Sequence, residues 1–355
     1  PERPYGDGAV FSSFVTEGRV VPRWLVGSTA ASTLHAAVWG LPPVAARLPV
    51  AWQSANAFLA LLGTVCMVGG TLALLRRWPG RLSVLLPALT PVWLLFMSGY
   101  TEYYPLIAVP FVAVLAWVFE RPLGDRTPTQ VGALVALLPL VYIGFLPVAC
   151  LTLGAWAVVR PEGAARVVAT GLVVAAVTIA ICWPLGIPHY FQALYGVMNF
   201  GEANMPARYV GLSAGPTSLV FSLDAVLTMA RAREVGALVV WGGGWWTMPL
   251  LLAATWRAWR AGRVTWLACR RDVRMPLGIA LVGVQVYYLA FMVPRLGPVG
   301  DVDLFFTTYL TLAFMAGRVV DAVGDLGREV GVDRREAHAD EPALLRRGDL
   351  TTFEE

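Results

Sequence analysis

Ser98-Gly99-Tyr100-Thr101-Glu102-Tyr103-Tyr104-Pro105 separates two long apolar runs. A turn this short cannot leave the surface of a bilayer, and it carries one carboxylate among three tyrosines. Working outward from it, apolar runs recur at 51–75, 82–98, 104–119, 129–144, 147–159, 166–184, 236–256, 275–293 and 303–320. A hydrocarbon core about 30 Å thick needs about 20 apolar residues of helix, so most of these runs read as spans. They lack the period-two alternation of a transmembrane barrel. The expected fold is an all-α, polytopic membrane helical bundle of about nine spans.

Composition agrees with that class. Of the 355 residues, 57% are hydrophobic and 14% charged, and the mean hydropathy is +0.64. A soluble domain carries about 25% charged residues. All 27 basic residues are arginine. A sequence pI near 9.0 raises nucleic acid as a partner. The arginines lie in short loops between apolar runs, where membrane orientation accounts for them better. Cys66, Cys150, Cys182 and Cys269 are scattered, with neither zinc-ligand nor disulfide spacing.

The arginine pattern predicts the topology. Arg76, Arg77 and Arg81, then Arg121 and Arg126, then Arg160 and Arg166, then the loop 257–274, share one side only if 130–159 crosses twice. That side reads as cytoplasmic, together with the charged tail 321–355. The segments 1–50, 98–104, 185–235 and 294–303 then face outward, which implies one more span upstream of residue 1. Within 1–50, the stretch 24–40 reads as an interfacial helix, with Ser28, Ser32 and His35 on one face. A second surface helix is expected over 217–232. Trp241-Gly242-Gly243-Gly244-Trp245-Trp246 follows no strand, so it fails as a nucleotide loop and reads as a kinked or close-packed helix.

Few ionisable groups fall in the spans, whereas transporters accept the cost of charge at mid-membrane. The candidate reactive groups gather on the predicted outer side: Asp7, Glu102, Asp301 and Asp303, with Arg208 and Arg295 between them. Carboxylates beside arginines at headgroup level suit a phosphate-bearing lipid. Each has a plainer reading. Asp7 between two glycines shapes a turn, Asp303 caps a helix, Arg295 pairs with Asp301, His35 is an interface residue, and the tyrosines form an aromatic belt. Asp301 and Asp303 are also candidates for a divalent cation; no other cofactor is indicated.

The turn Tyr5-Gly6-Asp7-Gly8, the stretch Pro22–His35, the turn around Glu102 and Gly300-Asp301-Val302-Asp303-Leu304-Phe305 resemble those of GT-C membrane glycosyltransferases. The missing first span is the departure from that pattern. The resemblance implies transfer of a sugar from a polyprenyl-phosphate carrier on the outer face of a bacterial inner membrane. Asp7 would then be the base, with Glu102 the second catalytic candidate. Arg208 and Arg295 would hold the leaving phosphate, and Tyr103 and Tyr104 the phosphate or the sugar. A transporter or lipid flippase, and a non-catalytic scaffold, are the alternatives.

Overall fold

The computed structural model describes residues 55–99, 104–121, 123–141, 145–182, 223–260, 273–291 and 305–323. Every regular element among them is a helix. In chain order they are α1 (Ala55–Arg77), α2 (Leu82–Ala88), α3 (Pro91–Met97), α4 (Tyr104–Phe119), α5 (Pro128–Val141), α6 (Leu146–Val159), α7 (Ala164–Cys182), α8 (Leu223–Val226), α9 (Met229–Gly242), α10 (Gly244–Arg260), α11 (Arg274–Phe291) and α12 (306–323).

Three of these helices are long and apolar enough to cross a membrane, in windows at Ala60–Arg77, Pro161–Thr178 and Arg274–Phe291. A fourth is counted if α9 and α10 are taken as one bent span. Apolar side chains face outward along them: Leu172 is 67% exposed and Leu252 70%. Water penalises such a surface, whereas lipid tails do not. The chain is a helical membrane protein.

The centre of the bundle is α12. Residues 305–317 are all buried, so this helix is packed on every side. Around Phe306 lie Phe96, Tyr104 and Phe111, with ring centroids 5.9, 5.3 and 6.0 Å away. Glycines set the closest approaches. A Cβ on Gly317 would lie 2.4 Å from the Leu82 carbonyl, and one on Gly132 would lie 2.6 Å from the Val167 carbonyl oxygen. Close backbone contact suits a setting where neighbouring helices gain dispersion energy and no hydrophobic drive.

Three expected helices are corrected. The run 82–98 is two helices, because Thr90 caps α3 by accepting from the Trp93 N–H (3.4 Å) and Pro91 opens it. The run 236–256 also splits. Gly243 has φ +85°, a left-handed conformation that glycine adopts freely, and α9 and α10 meet there at 88°. The expected surface helix over 217–232 breaks at Leu227–Thr228, where Thr228 caps α9 by accepting from the Arg231 N–H (3.2 Å). The runs 129–144 and 147–159 are two helices, α5 and α6, packed against each other, with Pro147 in the first turn of α6. The stretch 24–40 lies outside the described residues.

Candidate functional site

The predicted site residues Asp7, His35, Glu102, Tyr103, Arg208, Arg295, Asp301 and Asp303 lie outside the described residues. Tyr104 is described. It opens α4, is 7% exposed, and stacks on Phe96 with centroids 6.1 Å apart. What the structure supplies is the frame on which those segments are hung, and the frame has two unlike ends.

One end collects the loop arginines. Glu120, at the end of α4, has a side chain only 8% exposed and lies 3.7 Å from both Arg81 and Arg318. It also accepts from the Ser83 hydroxyl at 3.0 Å. Asp321 on α12 accepts from the backbone N–H groups of Leu82 (3.1 Å) and Ser83 (3.0 Å). The residue at the N-cap of α2, Arg81, makes no such cap, so Asp321 supplies it from 239 residues away. Arg274, opening α11, donates to the Phe119 carbonyl. Ends of α2, α4, α11 and α12 therefore share one polar layer.

Arg126 belongs to the same end. Its side chain is buried, and its Nη2 donates to the carbonyls of Trp117, Val118 and Arg121. Its guanidinium lies 4.2 Å from the Trp117 ring centroid, a cation–π contact. Burial lowers its pKa to about 10, with Arg121 and Arg274 adding to the fall and Asp125 opposing it. It stays cationic at neutral pH. A pocket of about 390 Å³ opens beside it, between the 123–128 turn and the bend after α6.

The core of the other end, among the described residues, is aromatic. Phe96, Tyr104 and Phe306 form one ring cluster, and Tyr288 meets Phe305 at 5.3 Å. Arg231 is buried beside it, 3% exposed. It donates to the carbonyls of Leu289 and Ala290 (both 3.1 Å) and pairs with Glu234 (3.1 Å). A cation thus satisfies the carbonyls that the last turn of α11 leaves open. Farther in, Gln285 accepts from the hydroxyls of Thr308 (3.0 Å) and Thr307 (3.3 Å).

Arg126, Arg231 and Asp321 carry much of this polar structure, and the sequence reading gave none of them a specific role. A buried arginine between two apolar runs, as in Arg126-Thr127-Pro128, is the signal that was there to be read. The described residues hold no cluster of three or more metal-ligating side chains. Compared with protein-family models, curated proteins and solved structures, the chain matches none.

Proposed function

We propose that this chain is a membrane glycosyltransferase acting at the aromatic end of the bundle, with a polyprenyl-phosphate sugar as donor. The observation that carries the reading is the convergence of chain ends there. Tyr104 follows Glu102 by two residues, Phe305 follows Asp303 by two, and the rings of Tyr104 and Phe306 are 5.3 Å apart. Two residues of chain reach at most about 7 Å. Tyr104 and Phe305, the described residues that follow Glu102 and Asp303 in the chain, are therefore neighbouring points of the frame. Arg231 fixes the last turn of α11, from which the chain continues to Arg295 and Asp301. The arginine layer lies at the opposite end, in keeping with a cytoplasmic face there and an outward-facing site here.

In this reading Asp7 takes the proton of the acceptor hydroxyl as that oxygen displaces the phosphate at the anomeric carbon. The departing phosphate is already a stable anion and needs no proton. Arg208 and Arg295 supply charge and paired donors, and Tyr103 a further donor. Glu102 is the second candidate base, and Asp301 with Asp303 offers a place for a divalent cation.

A second reading, a lipid transporter, is favoured by one observation. The two helix breaks touch: a Cβ on Gly243 would lie 2.6 Å from Pro91 Cδ. Discontinuous helices that meet inside a bundle are a feature of transporter sites. One experiment separates the two readings. The protein is reconstituted in lipid with a panel of radiolabelled polyprenyl-phosphate sugars, and both transfer and movement of the donor between leaflets are followed. Transfer or slow donor hydrolysis, abolished in Asp7→Asn but retained in a folded control, is the expected result. Leaflet movement with no transfer across the panel favours the transporter and overturns the enzyme.

A further inference from the structure

The helix α10 has two unlike faces. Ala254 and Ala258 are buried against the bundle. Trp245, Pro249, Leu252, Trp256 and Trp259 are exposed, and their i, i+4, i+7, i+11, i+14 spacing puts them on one stripe. At the rise of an α-helix the stripe is about 21 Å long. Indole rings at both ends of an aliphatic middle suit a surface that meets lipid, with the rings at headgroup level.

The end of the stripe at residue 260 carries charge of one sign. The rings of Trp256 and Trp259 are 5.0 Å apart, and the Arg260 guanidinium lies 4.8 Å from the Trp256 centroid. Stacking occupies a face of the guanidinium, whereas its N–H donors lie in the plane of the group and stay open to a ligand. Arg257 is exposed one residue beyond Trp256. Among the described residues, no carboxylate pairs with Arg257 or Arg260, whereas Arg81, Arg160, Arg231 and Arg318 each face a glutamate. The sequence extends the imbalance, since 257–274 holds six arginines against one carboxylate, Asp272. A basic cluster directly after an apolar helix is drawn to the anionic lipids of a cytoplasmic leaflet, and 257–274 falls on the predicted cytoplasmic side.

We propose that this face of α10 binds an anionic phospholipid, with its headgroup on Arg257 and Arg260 beside the paired indoles and its acyl chains along Leu252 and Pro249. The apolar stripe selects a lipid over a soluble phosphate compound. The positive charge selects an anionic headgroup over a zwitterionic one. This surface is separate from the donor site proposed above and does not depend on it.

The test uses the full chain, purified in a nonionic detergent. Graded phosphatidylglycerol or phosphatidylcholine is added, and bound lipids are counted by native mass spectrometry. Tighter retention of phosphatidylglycerol is expected. The double variant Arg257→Gln with Arg260→Gln is expected to weaken the tightest phosphatidylglycerol site about 30-fold, roughly fivefold for each charge removed. Arg76→Gln with Arg77→Gln removes the same charge from the exposed end of α1, on the same predicted side, and is expected to leave that site nearly unchanged. All four arginines are exposed, and unaltered phosphatidylcholine binding checks that both double variants stay folded. Equal retention of the two lipids, or an equal loss in the two double variants, overturns the proposal. So does a dimer that forms as the lipid is released, since a second copy of the chain would then be the occupant of this face.

Discussion

Two glutamates show how differently one residue type behaves in this chain. Glu120 is enclosed between Arg81, Arg318 and the Ser83 hydroxyl. Glu162 pairs with Arg160 at 3.5 Å, with both side chains more than half exposed. Replacing Glu120 by glutamine leaves two arginines facing each other without their counter-charge. We expect a loss of about 2 kcal/mol, less than the roughly 3–5 kcal/mol for breaking a fully buried pair, because the Arg81 and Arg318 side chains are partly exposed. Glu162→Gln is expected to change stability by less than about 0.5 kcal/mol, because water screens an exposed pair. Unfolding followed by SDS titration of the two variants in one detergent checks the contrast. Equal effects would mean that the Glu120 contacts add nothing to the fold. The sequence marked neither glutamate, because partners at positions 81 and 318 leave no local pattern around position 120.

Helix boundaries were legible where the chain itself signals them. The edges of α4, α6, α7 and α11 fall within a few residues of the apolar runs, because hydropathy is a local property. The breaks were harder to see. Thr90-Pro91 is a sound start signal, yet it is embedded in continuous apolar sequence that reads as one span. At Gly243 the glycines foretold a kink, while its 88° angle depends on what packs there, Pro91 on one side and Tyr309 beside Gly242 on the other. The α5–α7 pair offers the sharpest test at this scale. A Cβ on Gly132 would lie 2.6 Å from the Val167 carbonyl and 2.9 Å from Thr170 Cβ, whereas one on Gly171 would lie 3.4 Å from the Gly132 carbonyl. Gly132→Ala is expected to force the helices apart and cost about 1–3 kcal/mol, with Gly171→Ala nearer neutral. Unfolding midpoints of the two single variants measure the difference. If Gly132→Ala is as stable as the parent, the two helices are not held at the spacing described.

For the whole molecule, the distribution of arginines predicts an orientation. Arg81, Arg126, Arg274 and Arg318 are brought to one end by specific contacts, and Arg160 and Arg166 line the pocket at that end. If that end faces the cytoplasm, cysteines placed at Ser98 and at Thr127, both exposed, will behave oppositely in intact cells. Ser98→Cys is expected to react with a membrane-impermeant maleimide from outside, and Thr127→Cys only after permeabilisation. The reverse pattern would invert the topology and move the proposed donor site to the other face. The sequence by itself determined the class: apolar runs of bilayer length and loops that carry the arginines are properties of neighbouring residues. It also predicts that 130–159 crosses twice, since only that keeps the arginines on one side. The tertiary structure decided which polar groups meet. Asp321 caps a helix that begins at Leu82, Arg231 closes one that ends at Phe291, and Arg126 gathers the carbonyls of Trp117, Val118 and Arg121. The physical reason is that a buried donor, acceptor or charge must be satisfied by whatever lies beside it in space, and a bundle brings together residues that the chain holds hundreds of positions apart.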